Sequence, residues 1–165
     1  MATATFTPLA TQTLGSAAAS ITFNSIPGTY TDLRLVLTCT TSVADSVIVQ
    51  YNADTATNYS AVLLTGSGTA AAASTNTTSA TSIRLHNVGQ TSTTVPETFS
   101  LDVFSYAGAT NKTALATSAT DTNGAGSVEL TCGLWRSTSA ITQVTLKLFG
   151  GNNFATGTIA TLFGI

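Results

Sequence analysis

Apolar residues return at every second position along most of this chain, and almost nowhere at the three-and-four spacing of a helix. In DLRLVLTC, Leu33, Leu35, Leu37 and Cys39 share one side, with Arg34, Val36 and Thr38 on the other. SVIVQYN sets Val47, Val49 and Tyr51 against Ile48 and Gln50, and TFSLDVFSY aligns Phe99, Leu101 and Val103. SVELTCGLW aligns Val128, Leu130, Cys132 and Leu134, while AITQVTLKLFG sets Val144, Leu146 and Leu148 opposite Gln143, Thr145 and Lys147. With the closing TIATLFGI and the weaker runs ASITF, YSAVLL, SIRLHNV and KTALATSA, the pattern predicts about nine or ten short strands. Turn chemistry separates them: Pro27-Gly28, Gly108 with Asn111, Asn123-Gly124, and Gly150-Gly151 before two asparagines. The expected architecture is all-β, a jelly-roll-like antiparallel β-sandwich forming a single domain over residues 1–165. Its core should come from the apolar side of each alternating run, with Ser and Thr on the outer faces.

Composition supports the same reading. Roughly a third of the residues are Ser or Thr, and branching at Cβ suits Thr to a pleated sheet better than to a helix. The hydrophobic fraction is 43%, so the chain has a core to bury, but charged residues make up only 7%. A net charge of -2 on so few charges supplies neither a basic footprint for nucleic acid nor a polybasic patch for anionic lipid, and neither partner is expected. A soluble domain ordinarily carries mixed surface charge, so a hydroxyl-covered surface implies shielding in an assembly.

Two stretches break the alternation. Residues 66–82, GSGTAAAASTNTTSATS, read as a long small-residue loop, and residues 1–19 as an extended N-terminal arm with Phe6, Leu9 and Leu14 available to add to a sheet. The N-terminal twenty residues lack the positive start and apolar block of a secretory signal, so the sequons at Asn58, Asn76 and Asn111 are expected to stay unmodified.

No catalytic, cofactor-binding or metal-ligating residue is expected. The sole imidazole, His86, lies on an apparent strand without a nucleophile elbow, and reads as a satisfied strand histidine. Asp32, Asp45, Asp54, Glu97, Asp102, Asp121 and Glu129 are scattered singly, without a local pair for glycoside hydrolysis. Cys39 and Cys132 fall in phase with apolar neighbours and read as two small buried hydrophobes, too few with one distant His to hold zinc. NADTATN, residues 52–58, lacks the acidic spacing of a calcium loop and reads as a turn with Asx bonding. GLWRSTSAIT contains the only Trp, Trp135, beside Arg136. This pair suits a hairpin corner, and Trp with Arg is also the chemistry that anchors interfaces, which makes both residues candidates for a subunit or capsid contact.

Four segments, GSAAASITFNSIPGTYTDLRLVL, YNADTATNYSAVLLTGSG, GLWRSTSAITQVTLKL and the final LFGI, resemble small all-β virion proteins of tailed bacteriophages, which occur as head decoration (cement) proteins and as tail or fibre modules. The resemblance implies a structural protein made in the bacterial host cytoplasm and carried on the virion, on the head surface before the tail. Its partners would be the major capsid protein and further copies of itself, with a homotrimer on the capsid threefold as the first expectation. The alternatives are a tail or fibre tip domain that binds a host glycan or protein, and a jelly-roll carbohydrate-active protein.

Overall fold

The computed structural model describes residues 5–67, 73–86 and 91–165, and among them every regular element is a strand. In chain order these are β1 (Thr7–Thr13), β2 (Ser20–Phe23), β3 (Leu33–Cys39), β4 (Val47–Tyr51), β5 (Tyr59–Gly66) and β6 (Ala73–Ala80). They continue with β7 (Ile83–Arg84), β8 (Glu97–Phe104), β9 (Lys112–Asp121), β10 (Gly126–Trp135), β11 (Val144–Leu148) and β12 (Ile159–Gly164). The strands form two antiparallel sheets, one of eight in the order β1-β12-β3-β8-β9-β10-β5-β6 and one of four in the order β2-β11-β4-β7. The sandwich expected from the alternation is present. It has twelve strands where about ten were expected.

The two additional strands lie where sequence reading saw a loop and an arm. Within 66–82, Ala73–Ala80 forms the edge strand β6 on β5, although its residues are small and polar. Backbone pairing needs no apolar side chains, so a register offered by a neighbouring strand is enough. Within 1–19, Thr7–Thr13 pairs with the chain's own β12 from Thr7↔Gly164 to Thr13↔Ile159. Residues 1–4 and 68–72 lie outside the described residues.

The turns follow their residues. At the β9–β10 hairpin, Asn123 and Gly124 take φ of 65° and 86°, the left-handed pair a two-residue hairpin demands. β3 and β8 are paired in register from Leu33↔Val103 to Cys39↔Glu97 and bury the alternate residues expected of them. On their outer face, Arg34 and Asp102 stand directly opposite and join by two bonds of 2.6 Å. β4 departs from alternation: all five residues are buried, Ile48 and Gln50 included, so both of its faces are covered.

β10 departs further. Its buried residues are Ser127, Glu129, Thr131, Gly133 and Trp135, while Val128 is 66% exposed, Leu130 is 42% exposed and Cys132 is exposed. The expectation that Val128, Leu130, Cys132 and Leu134 face the core is therefore corrected: the strand is turned over. A period of two allows β10 to bury the parity of Leu134 or that of Trp135, never both. The large aromatic and a close contact at Gly133 decide for the second. An ideal Cβ on Gly133 would lie 2.7 Å from Cδ1 and Cγ2 of Ile83, so β7 packs against bare backbone there.

Candidate functional site

The corner formed by Trp135 and Arg136 is built from three elements. The indole is 2% exposed at the end of β10, stacked on Tyr59 of β5 at 6.3 Å and 17° and tilted against Tyr51 of β4 at 5.6 Å. Its Nε1–H donates to Oδ2 of Asp54 at 2.7 Å. Asp54 also accepts from the Asn58 side chain at 2.9 Å and the Ala56 amide at 2.8 Å, so the 52–58 segment is the Asx-bonded turn its residues imply. These donors, Asn58 first and then Trp135, hold the Asp54 carboxyl below the usual carboxylate range. Arg136 sits outside, donating from its backbone to Asn58 O at 2.8 Å and from Nη2 to Thr57 O at 2.5 Å. The hairpin corner expected here is corrected: β10 and β11 lie in different sheets, so the segment after Trp135 crosses from one sheet to the other. The ring, however, is spent inside the chain and offers no surface, which corrects the assignment of Trp135 as a contact residue; Arg136 alone stays exposed.

The remaining charged groups are used in the same inward way. Asp45 caps the 150–152 turn, accepting from Gly150 N at 3.0 Å and Asn152 Nδ2 at 2.9 Å. Asp32 accepts from Ser105 N at 2.6 Å and Asp121 from Gly124 N at 2.7 Å. Lys112 is fully buried, its ammonium held by the carbonyls of Gly108 and Thr110. Lys147 donates to Gln50 at 3.0 Å, and Arg84 lies 3.8 Å over the Phe149 ring.

Between the sheets runs a buried polar seam that no local motif announced: His86, Glu97, Glu129, Ser127, Thr131 and Cys39. His86 lies just past β7 instead of on a strand, and its Nε2 accepts from Val47 N at 3.0 Å. Its Nδ1 stands 3.8 Å from Oε1 of Glu97, and neither that nitrogen nor either Glu97 oxygen has a hydrogen-bond partner among the described residues. The histidine is thus half satisfied. Burial lowers His86 to about 4, while burial and then the neighbouring Glu129 raise Glu97 to about 8. At neutral pH both are uncharged, and the 3.8 Å approach is a neutral contact rather than an ion pair. Among the described residues no three His, Cys, Asp or Glu side chains gather as metal ligands.

The feature left over is the outer face of β5, β10 and β9. The register places Val62, Cys132 and Leu115 in one cross-strand row, and Leu64, Leu130 and Thr117 in the next. A third row carries Gly66, Val128 and Ala119. Val62 is 61% exposed, Leu64 48% and Leu115 36%, so this is an open apolar surface on a sheet whose other face already covers the core. From the Leu134 row to the Val128 row, no outward position on these strands is charged. Cys132 stands near its middle as an exposed free thiol, against the expectation that it is buried. Cys39 is buried as expected and lies on the opposite face of the sheet, on β3, with β8 and β9 between it and β10. The outer face is not legible in the sequence because the alternation of β10 favours the other parity; the adjacent large residues Leu134 and Trp135 are the signal that one of them must face out.

No protein-family model matches this chain, and none of the curated proteins or solved structures compared with it is a match.

Proposed function

We propose that this chain is a non-enzymatic structural protein of a tailed-phage virion, a cement protein that adheres to the outside of the head and bridges capsid subunits. The observation that carries the reading is the broad uncharged apolar face of β5, β10 and β9. A side chain there gains by removal from water, at about 25 cal/mol for each Å² covered, and asks no charged group of its partner. The engagement of Asp32, Asp45, Asp54, Asp102 and Asp121 within the chain, and the burial of Glu97 and Glu129, speak for adhesion over acid–base chemistry. The segment resemblance to small all-β virion proteins supplies the setting. Attachment would add its binding free energy to the barrier against rupture of the shell.

Copy number on purified particles tests the proposal. Many copies distributed over the head, by cryo-electron microscopy and quantitative mass spectrometry, are expected. A few copies at the tail would replace it with the adhesion reading. Absence from particles, or turnover of a sugar that stops when one carboxylate is replaced, would overturn it.

A further inference from the structure

Six buried polar atoms gathered at one end of the seam have no hydrogen-bond partner among the described residues: Thr65 Oγ1, Ser118 Oγ, Thr120 Oγ1, His86 Nδ1 and both carboxyl oxygens of Glu97. We propose that this end of the seam is a calcium site, in which the carboxylates of Glu97 and Glu129 and the hydroxyls of Ser118 and Thr120 hold one ion between the sheets. Three observations lead there.

The first is placement. Ser118 pairs with Glu129 and Glu129 with Thr65, one cross-strand row of the inner face, and Thr120 pairs with Ser127 in the next. On the other side of β9, Thr98 pairs with Ala119, which sets the inward Glu97 beside Thr120 and the inward Phe99 opposite Ser118. The two glutamates therefore flank β9 diagonally, with the hydroxyls of Ser118 and Thr120 between them. His86, just past β7 of the small sheet, closes the seam from the other side, its ring 5.1 Å from that of Phe99 and its Nδ1 3.8 Å from Glu97 Oε1.

The second is that a proton does not satisfy the cluster. Protonating Glu97 supplies one donor and leaves three hydroxyls, the imidazole nitrogen and the second carboxyl oxygen as they were. Groups buried in that condition lose their hydration and recover nothing for it. A cation set between the two glutamates answers several of them at once, because each oxygen presents a lone pair to it. A cleft lined by Thr120, Ser127 and the exposed Asp121 opens beside the second row and gives an ion a way in from solvent.

The third is the donor set. Nε2 of His86 accepts from the Val47 amide, so the neutral ring carries its proton on Nδ1, which blocks that nitrogen as a metal ligand and leaves it a donor aimed at Glu97. Cys39 pairs with Glu97 on the inner face, but burial keeps its thiol protonated. Only oxygens remain, the ligands of a hard cation. Two carboxylates match a divalent charge, whereas a monovalent ion would leave one negative charge buried. Calcium takes about six to eight oxygens in adaptable geometry, and magnesium demands a near-ideal octahedron that strand-borne side chains of unequal length do not offer.

The site is independent of the virion reading, because the ion is measured on the purified chain and copy number on the particle. The whole chain, stripped with EDTA, is titrated with calcium chloride by isothermal calorimetry. One calcium per chain is expected, with an unfolding temperature that keeps rising with calcium concentration past saturation. Glu97→Gln and Glu129→Gln each remove one of the two ligating charges and should weaken binding more than about tenfold. Ser118→Ala should weaken it less. Terbium in place of calcium should keep at most about two waters, by its luminescence lifetimes in H2O and D2O, since protein oxygens fill the other positions. No saturable uptake up to about 10 mM, beyond the roughly 1 mM of weak oxygen sites, would overturn the proposal and leave the seam to ordered water. So would binding that survives both glutamine substitutions, which would place the ion on the surface. Should the glutamine variants lose their fold by far-UV circular dichroism, terbium on the wild type decides, and an ion that keeps most of its waters overturns the assignment.

Discussion

The indole N–H of Trp135 donates to the carboxylate of Asp54 at 2.7 Å, tying the end of β10 to the turn that follows β4. The bond ties the large sheet, which holds β10, to the turn leaving β4 of the small one, beside the Tyr51 N–H that donates to Tyr59 Oη. It also orients everything upstream on β10. With Trp135 inward, Gly133, Thr131, Glu129 and Ser127 follow it inside, and Leu130 and Val128 must face out.

Trp135→Ala removes a buried ring packed between two tyrosines and is expected to cost about 3–5 kcal/mol. Trp135→Phe keeps most of the ring contact and removes only the donor, leaving Asp54 its bonds to Ala56 and Asn58, so a loss of about 1 kcal/mol is expected. Urea unfolding distinguishes them. Equal losses for the two would show that packing contributes nothing at this corner.

Gly133→Ala introduces a methyl group into the Ile83 side chain, whose nearest carbons stand 2.7 Å from the new atom. Overpacking of this kind costs about 1–3 kcal/mol. Ile83→Ala alone leaves a cavity, but it makes room for that methyl. The double variant is therefore expected to be clearly less destabilised than the sum of the singles, and strict additivity in the double-mutant cycle would contradict the contact.

Stability should fall from about pH 6.5 to about pH 8. Glu97 keeps its proton in the folded chain up to about 8 but ionises near about 4.3 when unfolded, so the folded state holds one more proton in between. That contribution is full below the unfolded value and is lost as pH rises to the folded one. His86 works in the opposite sense: lowered to about 4 from an ordinary value of about 6.5, it contributes fully above 6.5 and loses stability as pH falls towards 4. From about pH 4.5 to 6.5 the two slopes cancel, and above 6.5 only that of Glu97 remains. Unfolding free energy measured against pH should be level in the first window and decline to pH 8, and Glu97→Gln should abolish the decline. A decline retained in that variant would assign the proton elsewhere.

The two cysteines should differ sharply in reactivity. Cys132 is exposed, whereas burial and then Glu97 push the Cys39 thiol up to about 12. At low protein concentration the native chain is expected to give one rapidly labelled thiol with an aromatic disulfide reagent, and two after unfolding. Two fast thiols in the native state would refute the placement of Cys39.

Alternation alone sufficed for the strands whose apolar residues share one parity. β3 and β8 bury the residues their pattern nominates, because Leu33, Leu35, Leu37, Phe99, Leu101 and Val103 face no competing set. The turn at Asn123-Gly124 was equally legible, since positive φ is a local demand met by local residues. The all-β class and the antiparallel pairing thus came from the amino acids in order. The strand β6, the direction in which β10 faces, the exposure of Cys132 and the gathering of His86, Glu97 and Glu129 did not. Each depends on which distant segment lies alongside: β5 for the polar run of β6, Ile83 and the tyrosines for β10, and β8 and β10 for the buried carboxylates. A strand has two faces and its own sequence scores both; only the neighbour across the sheets, by the area it covers and the space it leaves, selects the one that goes in.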